Sequence, residues 1–184
     1  MIDLVDELAA AVCNLPPANI NWLRSFGIPD SEIFGEPLKV GVANIQTFPS
    51  GFYEPNEDGD LAVIIAEGWP EPPIWDVIED LIAFKPQAPS RWWRRRGEVQ
   101  VLGAHNIRPK PIFPLTLFDN PLSWLQAGGG GLCVIDWGFD AETLLFAGPL
   151  EAETPSLKSR LERRIQQAAL AKFDISIREV RDVA

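Results

Sequence analysis

The chain carries one histidine, His105, so any Ser–His–acid or Cys–His arrangement has to use it. His105 follows Val101-Leu102-Gly103-Ala104, where a strand is expected to end. No Gly-x-Ser-x-Gly turn accompanies it, and a structural or solvent-facing histidine is expected. Two carboxylate placements carry more chemistry. Glu67-Gly68 directly follows the apolar run Leu61-Ala62-Val63-Ile64-Ile65-Ala66 and precedes an expected helix. Asp136 ends the run Leu132-Cys133-Val134-Ile135, with Asp140 four residues later. Carboxylates at the C-terminal ends of parallel strands are where α/β sheets commonly hold metal ions and phosphates. The third constellation is Arg91-Trp92-Trp93-Arg94-Arg95-Arg96. Guanidinium groups beside indoles stack on bases, neutralise phosphates or anchor a protein interface. The competing assignment buries the tryptophans and pairs the arginines with carboxylates of the same chain.

Other motifs carry less. Cys13 and Cys133 lie far apart without metal-ligand spacing, which reads as reduced thiols rather than a disulfide framework. Four glycines at 128–131 follow a helix and precede a strand, the reverse of a phosphate loop, so they end the helix and make a tight connection. Asn56-Glu57-Asp58-Gly59-Asp60 has oxygen donors at alternate positions but misplaces the glycine of a calcium loop, and reads as a hairpin turn.

The elements that must position these groups follow from periodicity. Leu4, Val5, Leu8, Ala9 and Val12 predict a first helix, stopped by Pro16-Pro17. A second helix over 18–26 ends at Gly27, and Pro29-Asp30-Ser31-Glu32 opens a further turn. Residues 40–48 and 61–65 read as strands joined through the 56–60 turn. Ile74, Val77, Ile78, Leu81 and Ile82 predict a helix over 74–84. Strands are expected at 99–102, 112–118, 132–136 and 144–147, with a short helix over 121–126 capped by Asn120. Thr154 and Pro155 open a last helix with Leu157, Leu161, Ile165 and Ala168 on one stripe. Phe173, Ile175 and Ile177 then alternate with polar residues as a terminal strand. The reading is one domain of α/β or α+β class with a mixed sheet: a helical part at 1–36, a body at 37–184 and a C-terminal β-α-β unit.

At 184 residues the chain is long enough to bury a real core. Its formal charge of −10 is unevenly spread. Residues 1–90 hold 3 basic and 15 acidic side chains, whereas residues 91–110 hold 6 basic and 1 acidic. That balance opposes direct wrapping of nucleic acid, which needs many phosphate-neutralising cations. No apolar run is long enough for a membrane span and no basic signal start is present, so a cytoplasmic, membrane-free protein is expected.

The Glu67-Gly68 and Asp136-x-x-x-Asp140 placements resemble a Toprim domain, the metal-binding fold of primases and topoisomerases. The resemblance covers residues 61–145, but Asp136-Trp137-Gly138 departs from that family's Asp-x-Asp. It implies Mg²⁺ held by Glu67 and Asp136, with Asp140 as a further catalytic carboxylate in a nucleic-acid-processing domain. Separately, Asp80-Leu81-Ile82-Ala83-Phe84, Pro89-x-Arg91-Trp92-Trp93, Leu102-Gly103, Pro121-Leu122-Ser123-Trp124-Leu125 and Val134-Ile135-Asp136 resemble uncharacterised open reading frames of proteobacterial prophages and mobile elements. The leading expectation is a non-enzymatic accessory protein of such an element. It would bind a protein partner, such as a basic nucleic-acid-binding protein, through its acidic surface and through Arg91, Trp92, Trp93, Arg94, Arg95 and Arg96. The alternative is the Toprim-like, Mg²⁺-dependent reading.

Overall fold

The Asp3 carboxylate accepts the N–H groups of Val5 at 3.0 Å and Asp6 at 3.3 Å and so caps helix α1 (Leu4–Cys13). The structure, a computed structural model, describes residues 3–35, 39–68, 77–107, 113–141, 144 and 147–171. Leu4, Leu8 and Ala11 form the buried face of α1, as their spacing requires. Helix α2 (Pro17–Ser25) begins on the second proline and is followed by Gly27 at φ 76°. Helix α3 (Asp30–Ile33) is a single turn. The expected helical N-terminal part is therefore present over its described residues.

Five strands follow: β1 (Val40–Thr47), β2 (Tyr53–Pro55), β3 (Asp60–Gly68), β4 (Ile78–Phe84) and β5 (Trp92–Arg94). They form an all-antiparallel sheet in the order β2-β1-β3-β4-β5. The sheet curls until its ends meet. Phe52, just before β2, bridges Arg94, whose N–H donates to the Gly51 carbonyl at 3.0 Å.

A second sheet comprises β6 (Val101–Leu102), β7 (Leu115–Phe118), β8 (Leu132–Val134) and β9 (Leu150–Ala152) in the order β6-β8-β7-β9. Its β7 runs parallel to both β8 and β9, while β6 is antiparallel to β8. Helix α4 (Pro121–Gln126), capped by Asn120 on the Ser123 N–H, connects β7 to β8. Helix α5 (Pro155–Ala171) follows β9, with the Leu157 N–H donating to Thr154 Oγ1 at 3.2 Å. The result is a mixed α+β fold.

Strand alternation distributes the apolar residues among three cores. Ala62, Ile64, Ala66, Leu81 and Ala83 face α1. Val63, Ile65, Ile82 and Phe84 face the other way, against Leu102 and Cys133 of the second sheet, Ile135 just after it, and Leu23, Trp124 and Leu125 of the helices. The far face of the second sheet, with Val101, Leu117, Leu132 and Val134, packs on Leu157 and Leu161 of α5.

Two expectations need correction, and a third falls outside the described residues. The helix expected over 74–84 is a strand at its described end, because Leu81, Ile82, Ala83 and Phe84 are buried consecutively on both faces of the sheet. Helical spacing and two-sided burial coincide there, since a run apolar at every position contains every period. The strand expected at 144–147 does not form at Leu144 or Ala147, whose buried side chains join the α5 core; the strand is Leu150–Ala152. The terminal strand expected at Phe173, Ile175 and Ile177 lies outside the described residues.

Candidate functional site

At the end of β3 the register breaks. Glu67 pairs with Asp80 and Gly68 with Ile78, so Glu79 is an extra residue on β4 with no opposite number. Such a bulge re-aims side chains. Here it brings Glu79 and Glu67 to one cleft of about 130 Å³, lined also by Glu98, Gln100 and His105. The glycine after Glu67 has a packing reason: a Cβ at Gly68 would lie 2.1 Å from the Val77 carbonyl oxygen.

Glu67 itself is nearly buried, at 7% exposure. It accepts the Gly103 N–H at 3.0 Å and faces His105 Nδ1 at 3.3 Å. His105 sits on a 3₁₀ turn (Ala104–Asn106) fastened from its other end, where Asn106 Nδ2 donates to the carbonyls of Gly129 at 3.0 Å and Gly131 at 3.1 Å. A carboxylate on Nδ1 fixes the imidazole ring and its tautomer. Burial pushes the Glu79 carboxyl above its ordinary pKa, and the neighbouring charges of Glu67 and Glu98 add to that.

The metal reading needed Glu67, Asp136 and Asp140 at the ends of parallel strands. Strand β3 instead has antiparallel neighbours on both sides, and Asp136 lies two residues beyond β8 of the other sheet. Asp136 accepts the Gly138 N–H at 2.8 Å and meets Arg94 at 2.8 Å. The Gly138 N–H foremost, and the Arg94 guanidinium after it, hold its carboxyl below the ordinary range against some desolvation. Asp140 is exposed. Among the described residues no group of three His, Cys, Asp or Glu side chains is placed to hold a metal ion.

Much of the basic segment is built into the fold. Trp92 packs on the core between the sheets and donates Nε1–H to the Ile135 carbonyl at 2.9 Å. Trp93 packs on the α1 side, with Lys85 Nζ 5.6 Å from its ring centre. Arg94 pairs with Asp136, and Arg95 pairs with Glu7 at 2.8 Å, where Tyr53 Oη also donates to Glu7. Arg91 and Arg96 are exposed. Two arginines of α5 reach the same neighbourhood: Arg164 donates to the carbonyls of Trp137 and Phe139, and Arg160 lies 3.9 Å from the Trp137 ring centre.

Sequence reasoning missed Asp80, Glu79 and Glu98. Asp80 is fully buried and accepts the N–H groups of Leu81 at 2.9 Å, Arg95 at 3.1 Å, Arg96 at 2.8 Å and Gly97 at 2.8 Å. Its carboxylate therefore anchors the basic segment through backbone rather than through guanidinium groups. The available signal was the short apolar run Leu81-Ile82-Ala83-Phe84 closed by Lys85-Pro86, which resembles the run at 61–66 more than a helix. Comparison with known proteins found no matching family model, no matching curated protein and no matching solved structure.

Proposed function

We propose that this chain is a non-enzymatic interaction protein that binds a basic macromolecular partner through its acidic surface. In this reading the Glu67–Glu79–Glu98 cleft receives a lysine or arginine side chain of that partner. The observation that carries it is the convergence of three carboxylates on one concavity, where the side chains of Glu79 and Glu98 make no hydrogen bond or ion pair to another described residue. Arg94 and Arg95 are meanwhile committed to Asp136 and Glu7, so neither guanidinium neutralises the cleft carboxylates. Partially desolvated carboxylates that lack a cation gain most from one supplied in trans. The likeness of residues 80–136 to prophage and mobile-element reading frames supports an accessory role in such an element.

The test is fluorescence anisotropy with a labelled lysine- and arginine-rich peptide. A double variant, Glu79→Gln with Glu98→Gln, is compared with Glu54→Gln plus Asp58→Asn, which removes the same charge from another exposed stretch. Loss of about tenfold in affinity for the cleft variant, well beyond that of the control, is expected. Equal losses would mean non-specific attraction and would overturn the cleft assignment.

A further inference from the structure

His105 lines both the acidic cleft and a second one, of about 160 Å³. The second cleft is lined by Ser31 and Glu32 of α3, Lys39 before β1, His105, Trp124 of α4 and the glycine turn at Gly128 and Gly129. Its composition differs in kind from the first. It presents a carboxylate and an ammonium group together, with an imidazole beside them.

Glu32 and Lys39 are close enough to feel each other electrostatically, yet they do not close into an ion pair, and neither side chain bonds to another described residue. Burial raises the Glu32 carboxyl above its ordinary pKa, and the charges of Lys39 and His105 only partly offset this. The glycine turn keeps the space beside Glu32 open. A Cβ at Gly129 would lie 3.3 Å from Glu32 Oε2 and 3.3 Å from Trp124 Cζ2, at a backbone φ of +66° that side chains other than glycine's resist. Asn106 and the Trp124 Nε1–H both hold the carbonyl of Gly131, so the wall formed by the turn is fixed rather than slack.

We infer that this second cleft binds a small zwitterion of the α-amino acid class, its ammonium group on Glu32 and its carboxylate on Lys39. A ligand with opposite charges a few ångströms apart satisfies both half-buried groups at once, which neither a simple cation nor a simple anion does. The volume suits a single amino acid and excludes a peptide of several residues lying wholly inside.

The experiment is ¹⁵N-edited NMR titration of the full chain with each common amino acid, and separately with acetate and with methylammonium. Saturable shifts confined to Gly128, Gly129, Glu32 and His105 are expected with one or more amino acids, and at least about tenfold weaker binding of acetate and methylammonium. Glu32→Gln and Lys39→Gln should each weaken the amino acid about tenfold, while Lys39→Arg retains it. Dispersed spectra of the variants establish that they are folded. Acetate binding as tightly as any amino acid, absence of saturable shifts, or binding indifferent to Lys39→Gln would each overturn the inference. Because Glu79 and Glu98 do not line this cleft, failure here leaves the basic-partner reading standing, and the reverse also holds.

Discussion

The Arg94 guanidinium lies 2.8 Å from the Asp136 carboxylate, tying the closing strand of the first sheet to the turn just after β8 in the second. A charge that looked available for a partner and a carboxylate that looked available for a metal ion thus satisfy one another.

That pair predicts a pH dependence. The folded-state pKa of Asp136 is depressed, by the Gly138 N–H first and by Arg94 as well. Its stabilisation is therefore fully present above the ordinary aspartate range and is lost as pH falls through the lower, folded value. With the Asp136 side chain 35% exposed, the contribution is about 1 kcal/mol or less. Urea denaturation from neutral to acidic pH should show Asp136→Asn less stable than wild type at pH 7, with the gap closing in acid. A gap that stays constant through that range would show that ionisation of Asp136 is irrelevant.

Asp80 makes a larger prediction. It is fully buried among backbone donors, and an amide at that position offers one acceptor oxygen in place of two. Asp80→Asn should cost about 2–4 kcal/mol in equilibrium unfolding. A loss below about 0.5 kcal/mol would mean that the segment is held by Arg95 N–H on the Leu81 carbonyl and by its packing.

Neighbouring positions in the Arg/Trp segment should behave oppositely. Trp92→Ala removes core contacts and the bond to Ile135, at a cost of about 3 kcal/mol. Arg91→Glu changes an exposed side chain and should alter stability by no more than about 0.5 kcal/mol. Thermal melts of the two variants decide this, and a Trp92→Ala protein as stable as wild type would show that the indole is a surface group.

Glu79 reverses the sign found at Asp136. Its pKa is raised, so its ionisation opposes folding above the folded pKa, and that cost disappears below the ordinary glutamate value. Glu79→Gln should melt higher than wild type at pH 7 and identically once pH drops below about 4. A lower melting temperature for the variant at neutral pH would show that the carboxylate is stabilised by a cation after all.

How far the sequence disclosed all this depends on which side of a sheet each residue faces. Helix ends were legible because caps are local chemistry: Asn120 on Ser123 and Thr154 on Leu157 form as their spacing requires. The helix over 74–84 failed because Leu81 and Ile82 point to different cores, and no one-dimensional period distinguishes that from a helical stripe. Glu67 stood out, being a carboxylate closing an apolar run. Its companions Glu79 and Glu98 did not, because the bulge that presents Glu79 is a property of strand pairing and leaves no trace in residue types. The partners of Arg94 and Arg95 lie 42 and 88 positions away, beyond any local pattern.

The bridge between Phe52 and Arg94 bears on how this protein meets others. Its flanking strands, Tyr53–Pro55 and Trp92–Arg94, are three residues long, and the backbone next to one is hydrogen-bonded to the other. A ribbon closed on itself offers scant template for a foreign strand, which protects it against stacking into fibres. On this half of the molecule the paired strand ends leave little backbone open for edge-to-edge addition.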